Sequence, residues 1–117
     1  MEQLFLTLPF PPSVNTYWGF KGSHRFLTAK AKTFKQEVWV AAFNSKHKGF
    51  GDSRLSIIVN LYPPDKRVRD IDNPIKPLLD ALTQAKLFND DGQIDMILIK
   101  RGEVVKGGLC TVIINNL

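Results

Sequence analysis

The sequence predicts a small α/β (α+β) domain with a mixed β-sheet and two main helices. Three observations predict it. The runs QLFLTL, LSIIVNLY, IDMILIKR and LCTVIIN have strand length and are mostly closed by proline or glycine. Two other stretches, from Ala31 to Ala42 and from Ile75 to Leu82, carry apolar residues at helical spacing. The length of 117 residues suits one domain, residues 1–117, able to bury a core without disulfides or structural metal.

The elements follow in order. Residues 3–8 form a strand ended by Pro9. The stretch PFPPSVNTYWGFKG, from Pro9 to Gly22, reads as a loop rich in proline and aromatics. Arg25 to Leu27 is a short strand. Thr28 caps a helix running to about Asn44 or His47, with Ala31, Phe34, Val38, Ala41 and Ala42 inward. Lys30, Lys32, Lys35 and Gln36 lie mostly off that stripe. Gly49 to Gly51 is a turn, Arg54 to Tyr62 a strand, and DKRVRD an exposed charged segment.

The second helix is expected to begin near Asp72 or Asn73, with Pro74 in the first turn, where its missing N–H is harmless. Ile75, Leu78, Leu79 and Leu82 make its core stripe. Asp72, Lys76, Asp80 and Thr83 fall on another stripe away from the core. Pro77 must sit in or just past the first turn. FNDDG is a turn. Ile94 to Arg101 and Leu109 to Asn115 are strands, with Lys106-Gly107-Gly108 read as the hairpin turn between them. The order is β(β)αβαββ.

Composition excludes several classes. A lone Cys110 in an apolar run cannot form an intramolecular disulfide and reads as a small buried hydrophobe. No apolar stretch approaches the roughly 20 residues that span a bilayer. The start, MEQLFLTLPFPP, carries an acid where a signal peptide needs a base. A soluble, cytoplasmic protein is expected, with no membrane partner. The net charge of +5 is uneven: residues 1–48 hold seven Lys/Arg against two acids, and residues 49–117 hold nine of each. All seven acids from Asp65 to Asp95 are aspartates.

The candidate chemistry lies in RDIDNPIKPLLDAL and in the following NDDG. Residues i and i+2 of an extended chain share a side, so Asp70 and Asp72 can converge on one ion. Carboxylates from separate turns hold Mg²⁺ for work on phosphates. Asp91 joins them only if the chain folds back. Lys76, one helical turn after Asp72, would stabilise the scissile phosphate or, with a lowered pKa, act as a base. Arg69, Arg67 and Lys66 would hold flanking phosphates. Lys30, Lys32 and Lys35, with Lys21, His24 and Arg25 before them, would extend a polyanion surface.

Each feature taken singly has a plainer reading. Asp before a helix is most often a cap, and Asp-Asp-Gly an ordinary turn. Asp80 reads as a helix-face charge paired with Lys76 or Lys86. Tyr17, Trp18 and Phe20 read as core or interface before base-stacking groups. Other acidic motifs fit poorly. An EF-hand would need acids at Leu87 and Leu98, and no (D/E)-x-K triplet occurs.

The combination is more specific than its parts. RDIDNPIKPLLDALT followed by LFNDDGQID, with LPFPPSVNTYW near the start and a closing strand after Lys106-Gly107-Gly108, resembles the RusA family of Holliday junction resolvases over nearly the whole chain. The resemblance implies a homodimeric endodeoxyribonuclease that uses Mg²⁺, with Mn²⁺ as a substitute and no small-molecule cofactor, and nicks four-way DNA junctions symmetrically. It places the metal-binding, catalytic carboxylates on Asp70, Asp72 and Asp91, the important lysine on Lys76, and a basic residue on Arg69. One departure is Val68, which thins the basic run before Asp70. The competing reading is a non-catalytic phage or prophage DNA-binding module whose aspartates only cap and turn.

Overall fold

The computed structural model describes residues 2–117. Its main sheet has four strands, β1 (Gln3–Leu8), β4 (Leu55–Tyr62), β5 (Ile94–Arg101) and β6 (Leu109–Asn116), in the order β1-β6-β4-β5. Helices α1 (Ala29–Ser45) and α2 (Ile75–Gln84) accompany it, and β2 (Trp18–Lys21) and β3 (His24–Leu27) make a separate hairpin. This is the mixed-sheet α+β domain that the sequence predicts.

Alternation builds the core. Leu4, Leu6 and Leu8 of β1 are buried while Gln3, Phe5 and Thr7 are exposed. Leu55, Ile57, Val59 and Leu61 of β4 and Cys110, Val112 and Ile114 of β6 extend the same apolar face. Phe34, Val38 and Ala42 of α1 and Leu78, Ala81 and Leu82 of α2 cover it. The Thr28 side chain accepts from the Ala31 N–H at 3.3 Å, as an N-cap should. Pro77 sits in the first turn of α2, where its missing N–H removes no helical bond.

Two expectations need correction. Trp18–Lys21 is not loop but pairs antiparallel with β3, Gly19 lying opposite Phe26. A Cβ on Gly19 would stand 2.5 Å from the Phe26 ring, so only glycine lets that ring lie across the strand. The second correction concerns Lys106-Gly107-Gly108, which do not close a hairpin. β5 runs parallel to β4, and β6 lies on the far side of β4. Residues 102–108 carry the chain past the end of β4, with Gly102 N–H donating to Leu61 O at 2.7 Å and Val105 N–H to Pro63 O at 2.9 Å. β6 needs two neighbours because it is the strand shared between β1 and β4. A positive φ of 71° at Gly108, beside Phe10 and Pro64, makes that passage tight.

Candidate active site

Two acidic turns flank α2. Before it, Asn73 N–H donates to Asp70 O at 3.3 Å and Ile75 N–H to Asp72 O at 3.1 Å, winding the chain into the helix. Val14 N–H donates to Asn73 O at 2.9 Å and ties this turn to the proline-rich segment. The helix cap is Pro74, not Asp72 or Asn73, and no side chain caps it. Asp70 and Asp72 are exposed, and among the described residues neither carboxylate has a hydrogen-bond or ion-pair partner.

After the helix, Asp91 opens a single 3-10 turn, residues 91–93. The Asp90 carboxylate accepts from Gly92 N–H at 2.9 Å, so Asp90 is the turn's cap. Buried Gln93 locks it: its Oε1 accepts from Asn89 and Asp90 N–H, both at 2.9 Å, and its Nε2 donates to Gly51 O at 2.9 Å and Ser53 O at 2.7 Å. Asp91 itself is left to accept from Lys76 Nζ at 2.7 Å. The same ammonium lies 3.1 Å from Asp80, one turn further along α2. Hydrogen bonds to Asp91 and Asp80 push the Lys76 pKa up to about 12. As it stands Lys76 is an ammonium, not a base.

The donor chemistry suits a hard divalent cation, since all three candidates are carboxylates. The arrangement within one protomer does not gather them. Among the described residues, no three Asp, Glu, His or Cys side chains lie close enough together to hold a metal ion. Asp91 faces Lys76, and Asp70 lines a groove that Asp72 and Asp91 do not.

That groove, about 1060 Å³ and open to solvent, runs from Asp70 past Arg67, Arg69 and Arg101 to Lys30 on α1. Asp65 organises its basic wall. It accepts from Arg69 Nη1 at 2.7 Å, and its ion pair with Arg67 Nη2 spans 3.0 Å. These partners, Arg69 first, hold the Asp65 carboxyl well below the usual range. Arg101 bonds the carbonyl of Arg69. Sequence reasoning missed both Asp65 and Arg101. Arg101 stands opposite Leu61 at the end of β5, and only the β4–β5 register could reveal that placement.

The remaining basic candidates disperse. Arg25 lies over the Trp18 ring at 4.0 Å, and Lys35 lies 5.4 Å from the centre of the Tyr17 ring. Lys21, Lys32 and Lys66 are exposed. Tyr17 is core as expected, its buried hydroxyl without a hydrogen-bond partner among the described residues, and Phe20 is exposed. Burial first, then the Asp80 carboxylate, pushes the Tyr17 pKa up to about 12.

The family model of endodeoxyribonuclease RusA matches residues 9–114, which takes in both acidic turns, α2 and the basic groove. The chain belongs to the RusA family. It is 41% identical over 108 residues to the crossover junction endodeoxyribonuclease of Enterobacteria phage HK97, covering 92% of this chain and 90% of that one. It is 31% identical, with the same coverage, to the enzymes of that name from Escherichia coli K12 and Enterobacteria phage 82. No helix among the described residues is long and apolar enough to cross a membrane.

Proposed function

We propose that this RusA-family chain is a Mg²⁺-dependent endonuclease that resolves four-way DNA junctions by paired, symmetric nicking, acting as a homodimer in the cytoplasm. The observation that carries the reading is the state of the two carboxylates before α2. Asp70 and Asp72 are exposed and make no cap bond, which the cap-and-turn alternative requires of at least one of them. A carboxylate placed just before a helix that caps nothing is better explained as a ligand.

In this reading Asp70, Asp72 and Asp91 are the metal ligands. The bound ion would supply an activated water and neutralise charge on the phosphate. The chain's own contributions are separate. Lys76 brings a fixed positive charge to Asp91, held on its other side by Asp80. Arg67, Arg69 and Arg101, with Lys30 across the groove, suit phosphates flanking the cut. Lys66, Lys21, Arg25, Lys32 and Lys35 would meet the outlying backbone. A two-fold substrate cut on opposed strands is matched by a two-fold enzyme.

The test is a nicking assay on a four-way junction beside linear duplex, with and without Mg²⁺. Junction-selective, Mg²⁺-dependent cleavage that Asp70→Asn abolishes, with binding kept, is the expected result. Binding of junction without cleavage under any divalent ion would favour the non-catalytic module.

A further inference from the structure

The β2–β3 hairpin carries a bare aromatic ring on a basic finger. Every residue from Phe20 to Phe26 is exposed. The neighbouring rings are occupied within the protein. Tyr17 is buried, Trp18 lies under the Arg25 guanidinium, and Phe26 lies across Gly19. Phe20 is 69% exposed, and among the described residues its ring has no aromatic neighbour and no cation over it. Arg25 stands directly opposite Phe20 in the register, yet its guanidinium turns to Trp18 instead.

The finger stands at the rim of the groove that Asp70 lines. Ser13, Asn15 and Thr16, just before the hairpin, line that groove, and so do Ala29 and Lys30, just after it. The root is fastened. Thr28 Oγ1 donates to Thr16 O at 2.7 Å, and Val14 N–H donates to Asn73 O, in the turn that bears Asp70 and Asp72. The tip stands clear: a Cβ added at Gly22 would meet no atom of the described residues within 4 Å beyond its chain neighbours. The surroundings favour a polyanion. No acid occurs between Glu2 and Glu37, a stretch that holds Lys21, Arg25, Lys30, Lys32 and Lys35.

We infer that Phe20 stacks on a base exposed at the branch point of a four-way DNA junction, so that the β2–β3 hairpin is the element that tells branched from linear DNA. The inference deepens the junction reading above and rests on it. Phosphate contacts from lysine and arginine are blind to branching, because every duplex arm carries the same backbone. Base faces differ. In linear duplex each is covered by its neighbours, and a side-chain ring reaches one only by unstacking a step at a cost. At a crossover the regular stack is already interrupted, so a base face costs less to reach. Lys21 beside Phe20 and Arg25 opposite it bring positive charge to the backbone leading there. Stacking on an aromatic ring suits any base, so the device reads branching rather than sequence.

The test measures binding of the full chain to a four-way junction and to linear duplex of the same sequence, in EDTA so that no strand is cut. Phe20→Ala should weaken junction binding about 10-fold, the order expected for one lost base stack, and duplex binding less than about twofold. Phe20→Trp should keep the junction preference. Neither change should move the melting temperature by more than about 2 °C, since the ring is exposed. On a junction with abasic nucleotides at the crossover, Phe20→Ala and the unmodified chain should bind alike, which a merely structural role for Phe20 would not produce. An unchanged junction-to-duplex ratio in Phe20→Ala overturns the inference while the junction reading stands. Equal losses on both substrates also overturn it, making the hairpin a general duplex contact. If the unmodified chain shows no preference for the junction, the junction reading fails and this inference falls with it.

Discussion

The two acidic turns on either side of α2 are built on opposite principles. The turn at residues 90–93 is wired from within: Asp90 caps it and buried Gln93 makes four hydrogen bonds to the chain around it. Among the described residues, the turn at residues 70–73 is held by backbone bonds, and its carboxylates have no partner. One turn fixes the position of Asp91, whose partner is a lysine. The other presents Asp70 and Asp72 to whatever arrives. In the proposed site, one anchored and one uncommitted pair of acids would separate the cost of positioning from the capacity to bind.

Mutations can break that comparison. Its largest expected consequence is at the uncommitted turn: Asp70→Asn or Asp72→Asn should lower junction cleavage by about 100-fold or more, as loss of a metal ligand does. Neither should change the melting temperature by more than about 1 °C, since neither side chain has a partner to lose. At the anchored turn the order reverses. Gln93→Ala should cost about 3 kcal/mol, because four partners lose their bonds in a buried setting. In a domain of this size that lowers the melting temperature by roughly 10 °C. Cleavage should fall with it as Asp91 loses its place. Equal stability losses in the two turns would remove the distinction.

Between the turns, Asp80→Asn leaves Lys76 with Asp91 alone. Cleavage should drop several-fold with junction affinity unchanged, and stability should move by about 1 kcal/mol or less, because the pair is only partly buried and Lys76 keeps Asp91. Recovery with Asp80→Glu would show that placement of Lys76 is what matters. The smallest effect belongs to Asp65. Its folded-state pKa lies below its unfolded value, so the unfolded chain binds more protons between the two. Its contribution to stability is present above about pH 4 and is lost as pH falls below that. Asp65→Asn should lower the neutral plateau of a stability–pH curve slightly, leave the lowest pH unmoved and so flatten the acid limb.

Much of the fold was legible because burial patterns are local. The alternation in QLFLTL, the 3.6-residue stripes of both helices and the Thr28 cap each depend on neighbours a few residues away. What was not legible depends on distant pairing. Lys106-Gly107-Gly108 has the composition of a hairpin turn, and only the central place of β6 makes it a passage round the end of β4. Trp18–Lys21 lacks strand composition because Gly19 exists to receive a ring from the opposite strand. At the site, the pairing of Asp80 with Lys76 was expected from their i, i+4 spacing, whereas the Lys76 bond to Asp91 was not. The clamp of Asp65 on two arginines was hidden among charges that read simply as solvated. The gathering of three carboxylates expected within one chain is not found there, because spacing along a sequence says nothing about which cation each acid faces.

The placement of β6 has a consequence for how the protein comes to exist. The strand that joins β1 to β4 is the last of the described elements in sequence order, pairing Gln3 with Asn115 and Tyr62 with Leu109. During synthesis the first strand emerges long before its only neighbour, and β4 waits with one side unfilled. Such distant pairing slows folding and leaves apolar strands uncovered on the ribosome. A chain broken off before β6 would lack the middle of its sheet, so an incomplete copy of this nuclease should be insoluble prey for proteases rather than a loose enzyme near DNA.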